Sequence, residues 1–304
     1  MLRFIRAETI PEAWEGAVLD CWRYGDEIKT QYDKKGDPPS RDCMMAIEIF
    51  YPDKEPRIHK CFPGDYKDLH KYVREVVEGI RNYRIGKHGA GWNYTYNDRF
   101  HRSPNDVIVA EMLKLVAAEN EPEIRNYIAM IQQHLLPLNA DRPAGIDQIE
   151  TMLDMSAKCP YTRRAQAITW VPEIDTEDEH CPCVQRIWGR IVKGDLLEMH
   201  VNIRSNDAYK AAGMNLFAFS ELQKWMASRL SAKTGSKIGI GSLVWVADSF
   251  HIYGSYFEQF KDFLESRERK LWPDRVMCSD DPRYLELCAE ADEELKKEID
   301  EVGS

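Results

Sequence analysis

Cys183 is a residue whose type and predicted neighbours would suit a nucleophile. It follows Pro182 and an acidic loop at 173–180, and Arg204 is predicted on the adjacent arm of a hairpin. The thiolate is the reactive form of cysteine, and a nearby cation stabilises it. The pattern is compatible with covalent catalysis by Cys183, but on these residues alone a buried structural thiol is the more usual role of a single cysteine. Cys181 is assigned no role.

Metal binding is the alternative use of the same segment. His180, Cys181, Cys183 and Cys159 together offer four possible zinc ligands. Structural zinc sites usually show two separated pairs of ligands, whereas this chain has a single C-x-C with one flanking histidine. We therefore predict no metal site.

Charge and composition limit the class of partner. The net charge of -10 argues against a general nucleic-acid binder, because phosphate contacts need surplus Lys and Arg. A few local arginines could still hold a small anionic ligand. No apolar run approaches the ~20 residues that span a bilayer, and the N-terminus lacks a secretory signal. We expect no membrane partner, a cytoplasmic location (host cytoplasm for a phage protein), and eight free cysteines.

The elements that must position these residues are a mixture of helices and strands. Asp65 is expected to begin one helix, and Lys193-Gly194-Asp195 is typical of a hairpin turn. Helices are predicted at 11–27, 105–118, 121–135, 146–158, 214–230, from about 252, and at 281–300, and strands at 44–51, 165–171, 184–193, 196–203 and 239–247. Residues 30–42 are predicted to be a loop and 86–104 irregular. Without regular βαβ alternation, this order indicates an α+β fold.

Six short motifs occur in a fixed order along the chain. They are IDQIETML (146–153), TRR (162–164), Pro182-Cys183, RSND (204–207), Asn215 and HIY (251–253). Together they resemble the thymidylate synthase motifs DQI, SRR, PC, RS-x-D, the asparagine of the following helix, and H-x-Y. The resemblance covers about 146–260, and earlier residues match only in outline. RSND, in place of RSCD or RSAD, is closer to the phage deoxycytidylate hydroxymethylases of the same superfamily.

The resemblance implies the fold of that superfamily. Its large twisted mixed sheet packs back to back with that of a second copy, and its helices cover the other face. We expect one thymidylate-synthase-like domain over 1–304, with a helical insertion at about 103–140 and an acidic C-terminal helix. The expected assembly is a homodimer with shared active sites.

The resemblance also implies a substrate, a pyrimidine nucleoside monophosphate, and a chemistry. Cys183 adds to C6 of the base, which activates C5 for one-carbon transfer. The residues implied to bind the phosphate are Arg41, Arg163, Arg164, Arg204 and Ser205, of which Arg163 and Arg164 come from the partner subunit. Guanidinium groups suit a phosphate dianion because they donate in a planar fork.

Two further side chains are implied in proton transfer. Glu75 fits the family's catalytic glutamate better than Glu78 on the same helix. Tyr96, with Phe100 four residues on, matches the family's Y-x-x-x-aromatic pattern, and Tyr94 competes with it. Carboxylates and hydroxyls can move protons at C5 without a metal.

The remaining motif residues are implied to bind the ligands. Asp207 would hold the pterin ring, and Asn215 the O4 and N3 edge of the base. His251 and Tyr253 would bind the 3′-hydroxyl of the sugar. The implied cofactor is 5,10-methylenetetrahydrofolate or a related reduced pterin.

Departures from the synthase pattern bear on the product. Val184 replaces the histidine that follows the cysteine in synthases, and the sequence ends in LKKEIDEVGS without the apolar tail that closes over the cofactor. Hydride transfer needs a dry site, whereas hydration needs water. These departures favour 5-hydroxymethylation over reductive methylation to dTMP. Asn215 favours uracil and Ser205 deoxyribose, so dUMP is the expected substrate, with dCMP or CMP as alternatives. A catalytically silent nucleotide-binding or zinc-binding protein is the hypothesis of a different class.

Overall fold

The computed structural model describes residues 1–86, 92–117, 121–134 and 146–303. The helices are α1 (Ile10–Tyr24), α2 (Tyr66–Glu78), α3 (Tyr96–His101), α4 (Pro104–Ala117), α5 (Glu121–His134), α6 (Gln148–Lys158), α7 (Pro172–Asp175), α8 (Ala212–Thr234), α9 (Phe257–Arg269), α10 (Trp272–Arg275) and α11 (Pro282–Gly303). The strands are β1 (Leu2–Ala7), β2 (Asp26–Ile28), β3 (Ser40–Ile49), β4 (Ile58–His59), β5 (Gln166–Ile168), β6 (Val184–Val192), β7 (Leu196–Asp207), β8 (Gly239–Ile252) and β9 (Val276–Met277).

One mixed sheet organises the chain. Its strand order is β1-β3-β8-β7-β6-β5, and β2 pairs with β3 outside this path. The β7–β8 pair is parallel and β6 runs antiparallel to β7, so the ends of β7 and β8 and the start of β6 meet at one edge. In this register Asp207 lies beside His251, and Val184 lies beside Ile203. The sheet therefore gathers three of the predicted motifs.

Helices pack against one face of this sheet. The helices α1, α6 and α8 contact its strands, and the residues facing them, such as Ile47, Met199 and Trp245, are fully buried. Alternate residues of the same strands, including Trp188 and His200, are only partly buried. Because side chains alternate across a strand, this second set marks a face that no described helix covers.

The helix α11 is fastened to α2 by ion pairs. Lys67 and Lys71 both reach Glu294, at 3.0 and 2.5 Å. Beyond the end of α2, Arg81 and Arg84 pair with Glu298, at 3.3 and 2.7 Å. The contact thus supports the helix that carries Glu75.

Most predicted elements are confirmed within one or two turns. Asp65 caps α2 by accepting from the backbone N–H of Lys67, and Lys193 and Gly194 take positive φ values of 52° and 90° in the β6–β7 turn. The predicted insertion contains α4 and α5, although 118–120 and 135–145 lie outside the described residues. No described helix is both long and apolar enough to cross a membrane.

One local prediction was wrong, one was wrong in part, and one strand was missed. Arg41 was placed in a loop, yet it belongs to β3, because pairing with β2 and β8 overrides the polar flanking sequence. The prediction of an irregular segment over 86–104 holds for 92–94 but fails beyond them, because Thr95 accepts from the N–H of Asp98 and starts α3; residues 87–91 lie outside the described residues. The edge strand β1 was not predicted.

Candidate active site

A cavity of about 640 Å³ opens where β6, β7 and β8 meet α2 and α8. Most of the predicted site residues line it: Glu75, Tyr96, Cys183, Ser205, Asp207, Asn215, His251 and Tyr253. These side chains come from distant parts of the chain. Their convergence in one concave site makes it the candidate active site.

Arg204 braces the segment that carries Cys183. Its Nε donates to the carbonyl oxygen of Pro182 at 3.1 Å, and its Nη2 donates to that of Cys181 at 2.8 Å. Burial raises the pKa of the Cys183 thiol, and the Arg204 guanidinium opposes that rise. Arg204 itself is not among the cavity-lining residues, so within one subunit it acts on the loop and on the charge of the thiolate.

Two tyrosines flank the nucleophile. The hydroxyl of Tyr96 accepts from the backbone N–H of Val184 at 3.3 Å. Tyr94 also lines the cavity, and its ring centre lies 5.6 Å from that of Tyr96. Burial raises the pKa of both hydroxyls, so both stay neutral at physiological pH. Both tyrosines are therefore placed to take the role of the proton-transfer tyrosine.

Glu75 has the environment of a proton-transfer group. Its carboxylate is buried, and burial raises its pKa to about 7 against the opposing charges of Arg81 and Arg84. The nearest of these cations, Nη1 of Arg81, is 3.8 Å from Oε2. A pKa near neutrality suits a group that both takes and returns a proton. Glu78, by contrast, is exposed and pairs with Arg74 at 2.8 Å.

Asp207 is the last residue of β7, and one of its two carboxylate oxygens accepts hydrogen bonds from the backbone. Its Oδ1 accepts from the backbone N–H groups of Tyr209 and Lys210, at 3.0 and 2.8 Å. Burial nevertheless raises its pKa to about 6. The second carboxylate oxygen, Oδ2, is the atom that a ligand N–H group in the cavity could reach.

The buried amide of Asn215 lies in the first turn of α8. Its Oδ1 accepts a hydrogen bond from the hydroxyl of Tyr72 at 2.8 Å. Tyr72 belongs to α2, one turn before Glu75, and also lines the cavity. No motif marks Tyr72 in the sequence, because nothing local reveals a contact across 143 positions.

His251 presents an unpaired nitrogen within this site. Its Nδ1 lies 3.1 Å from Oγ of Ser249, whose hydroxyl donates to Asp42. Because that hydroxyl's proton goes to Asp42, Ser249 must accept from Nδ1–H of His251. Burial lowers the pKa of His251 to about 4, so the ring is neutral and Nε2 is an acceptor. Nε2 is buried without a partner among the described residues, as expected for a group awaiting a ligand hydroxyl.

The other predicted phosphate ligands lie away from the cavity in a single subunit. Arg41 pairs with Glu27 at 3.0 Å and donates to the carbonyl oxygen of Gly25. Arg163 and Arg164 are exposed next to β5. Among the described residues, no group of three or more His, Cys, Asp or Glu is arranged to hold a metal ion.

Comparison with known proteins agrees with the motifs and the fold. The sequence profile of the family described as Thymidylate synthase matches residues 109–289. A Methanocaldococcus jannaschii protein named "Putative thymidylate synthase" is 32% identical over 274 residues, covering 88% of this chain and 99% of the relative. A protein of the same name from Methanosarcina acetivorans is 24% identical over 265 residues, covering 86% and 95%.

The chain belongs to the thymidylate synthase family. The structure of thermostable thymidylate synthase A from Bacillus subtilis shares its fold, with a TM-score of 0.57, 16% identity and 84% coverage of each chain. The family and the α+β fold expected from the motifs are thus confirmed. Members transfer one-carbon units from a folate to pyrimidine nucleoside monophosphates, so the chain is a one-carbon transferase.

Proposed function

We propose that the protein hydroxymethylates C5 of dUMP through a covalent adduct between Cys183 and C6 of the base. The observation that carries the proposal is the convergence of Cys183, Glu75, Asn215 and His251 on one cavity. A scaffold protein would have no need to keep a thiol, a titrating carboxylate, a base-edge amide and an unpaired imidazole nitrogen together. A catalytically silent relative is therefore disfavoured.

The roles of the side chains follow from their chemistry. The Cys183 thiolate adds to C6, and the electron pair moves to make C5 nucleophilic. After C5 has bonded to the one-carbon unit, Glu75 helps to remove the C5 proton, with Tyr96 or Tyr94 completing the hydrogen-bond network. The amide of Asn215 contacts the base edge, and Nε2 of His251 accepts from the sugar 3′-hydroxyl, with Tyr253 beside it at 4.6 Å between ring centres.

The cavity also suits a reduced folate. Trp92 lies on its wall and can pack against a flat ring, and the Asp207 carboxylate can accept from the ring's N–H groups. When bound, 5,10-methylenetetrahydrofolate or a related pterin supplies the one-carbon unit. The protein's own contribution is to place C5 beside that unit.

Hydration is favoured as the final step by the open side of the cavity. In that step the oxygen of water would bond to the methylene on C5, the bond from Cys183 to C6 would break to release the thiolate, and the proton lost by water would restore the thiol. Among the described residues, none from α11 lines the cavity, and ion pairs hold that helix against α2. A cavity without this cover admits water.

Reductive methylation of dUMP to dTMP is the second candidate. The names of the relatives favour it. In that case the methylene would take a hydride from the reduced folate in place of a hydroxyl from water.

Mass spectrometry of the product separates the two reactions. The purified protein is incubated with dUMP, dCMP, UMP or CMP and 5,10-methylenetetrahydrofolate. We expect dUMP to gain the mass of one CH2O group. A gain of CH2 would instead establish methylation, and reaction only with dCMP or CMP would overturn the choice of base.

We also propose a homodimer with shared active sites. The partly exposed sheet face that bears Trp188 and His200 would meet the same face of a second copy. Arg163 and Arg164, exposed at the edge of that sheet, would then reach the partner's phosphate site, where Ser205 and Arg204 of the other subunit lie. This arrangement accounts for a site with few arginines of its own.

A further inference from the structure

Tyr72 contacts the group that reads the base. Its hydroxyl donates to Oδ1 of Asn215 at 2.8 Å, and both side chains line the cavity. Burial beside Glu75 raises the pKa of Tyr72 well above its usual value, so the group is a neutral donor. Asn215 is therefore approached from one side by a fixed hydroxyl and from the other by the ligand.

This hydroxyl gives the amide a preferred orientation. Oδ1 of Asn215 is the acceptor that the described residues provide for the Tyr72 proton. If the amide rotated by half a turn, the NH2 group would face the hydroxyl, and the partly buried O–H would lose that acceptor. A partly buried donor that loses its acceptor raises the free energy, so rotation is opposed.

The orientation matters because uracil and cytosine present opposite patterns. Uracil offers an acceptor at O4 and a donor at N3, whereas cytosine offers a donor at N4 and an acceptor at N3. An amide free to rotate can match either base, but an amide held in one orientation matches only one. Discrimination thus requires a second group that fixes the amide.

We propose that Tyr72 is the positioning residue for base selection, because its hydroxyl fixes the amide orientation of Asn215. The inference rests on the proposed function in that Asn215 reads the base. The inference about Tyr72 holds whether the wild-type protein prefers uracil or cytosine.

The test is the ratio of dissociation constants for dUMP and dCMP, measured by titration calorimetry without folate. We expect Tyr72→Phe to shrink the wild-type preference about tenfold, which corresponds to ~1.4 kcal/mol. The matched control is Tyr209→Phe. It also removes a tyrosine hydroxyl that donates one hydrogen bond, here to the carbonyl oxygen of Gln259 at 3.2 Å, outside the cavity lining. This control should keep the wild-type ratio.

A double-mutant cycle separates positioning from packing. The two oxygens of a carboxylate are equivalent, so Asn215→Asp leaves no orientation to fix. Adding Tyr72→Phe to Asn215→Asp should therefore leave the base ratio unchanged. An unaltered ratio in Tyr72→Phe alone, or an equal change in both backgrounds, would overturn the inference.

The same titrations keep this inference distinct from the proposed function. A wild-type preference for dCMP would overturn the proposed substrate, yet Tyr72→Phe should still reduce that preference. A product that gains CH2 would overturn hydroxymethylation without touching the base ratio. Binding of neither nucleotide would overturn both proposals.

Discussion

Nη2 of Arg204 lies 3.2 Å from Sγ of Cys181, the cysteine that is not expected to react. The same guanidinium donates to the backbone carbonyl oxygens of Cys181 and Pro182. Arg204 therefore holds the two residues that precede the nucleophile, and the thiol of Cys181 contributes to this hydrogen-bonded contact. The two thiols consequently have different roles despite their closeness.

Substitution of each cysteine should show that difference. We expect Cys183→Ala to abolish turnover and covalent trapping by 5-fluoro-dUMP, detected as an adduct by mass spectrometry of the denatured protein. Cys181→Ala loses one hydrogen bond, worth about 1 kcal/mol, so its kcat/KM should fall by no more than about tenfold. An adduct in Cys183→Ala would contradict the assignment of the nucleophile.

Glu75→Gln should lower kcat and raise the free energy of unfolding at neutral and higher pH. The pKa of Glu75 rises from 4.5 to about 7 on folding, so the folded state binds more protons between these values and stability falls as pH increases through them. Glutamine avoids this loss. Relative to the wild-type protein, the free energy of unfolding of Glu75→Gln should be nearly unchanged at pH 4 and higher by at most ~3 kcal/mol at pH 8.

Urea unfolding at both pH values measures this gain, and kcat should fall about a hundredfold or more because the proton-transfer group is lost. Glu78→Gln, on the same helix but exposed, is the control and should keep kcat. A stability gain of equal size at pH 4 and pH 8 would refute a raised pKa.

The chain Asp42–Ser249–His251 predicts how the sugar is held. Ser249→Ala removes the acceptor that keeps the proton on Nδ1, so Nε2 ceases to be a reliable acceptor. We expect the dissociation constant for dUMP to rise about tenfold, in line with one lost hydrogen bond to a buried group. The rise should vanish for 2′,3′-dideoxy-UMP, which lacks the hydroxyl. Ser242→Ala, on the same strand but paired with Glu198, is the control.

Mixed dimers test the shared site. Cys183→Ala chains and Arg163→Ala/Arg164→Ala chains should each be inactive alone. When combined, a mixed dimer has one site with both an intact cysteine and the partner's arginines, so activity should return at about one site per mixed dimer. A fully active monomer in analytical ultracentrifugation would exclude this arrangement.

The sequence alone predicted residues that carry their own local pattern. Cys183, Asp207, Asn215 and His251 stand in short motifs, and the strands that bring them together show clear alternation. Tyr72 and Ser249 were not predicted, because each acts through a contact with another side chain. Tyr72 matches the apolar period of α2, which hides the use of its hydroxyl.

Arg41 shows that a local sequence pattern can also predict the wrong element. Its polar neighbours in sequence indicate a loop, yet pairing with β2 and β8 places it in a strand. Pairing between distant segments decides such cases, and single-sequence patterns do not contain it.

The pairing of α2 with α11 has a consequence for the order of assembly during synthesis. Lys67 and Glu294 are separated by 227 positions. A ribosome therefore produces α2, which carries Lys67 and Glu75, long before it produces the acidic helix α11. Until then Lys67, Lys71 and Arg81 face solvent or other partners, and Glu75 lacks its final surroundings. Contacts between such distant segments are among the slowest to form. The nucleotide site should therefore mature late, after most of the sheet has already folded.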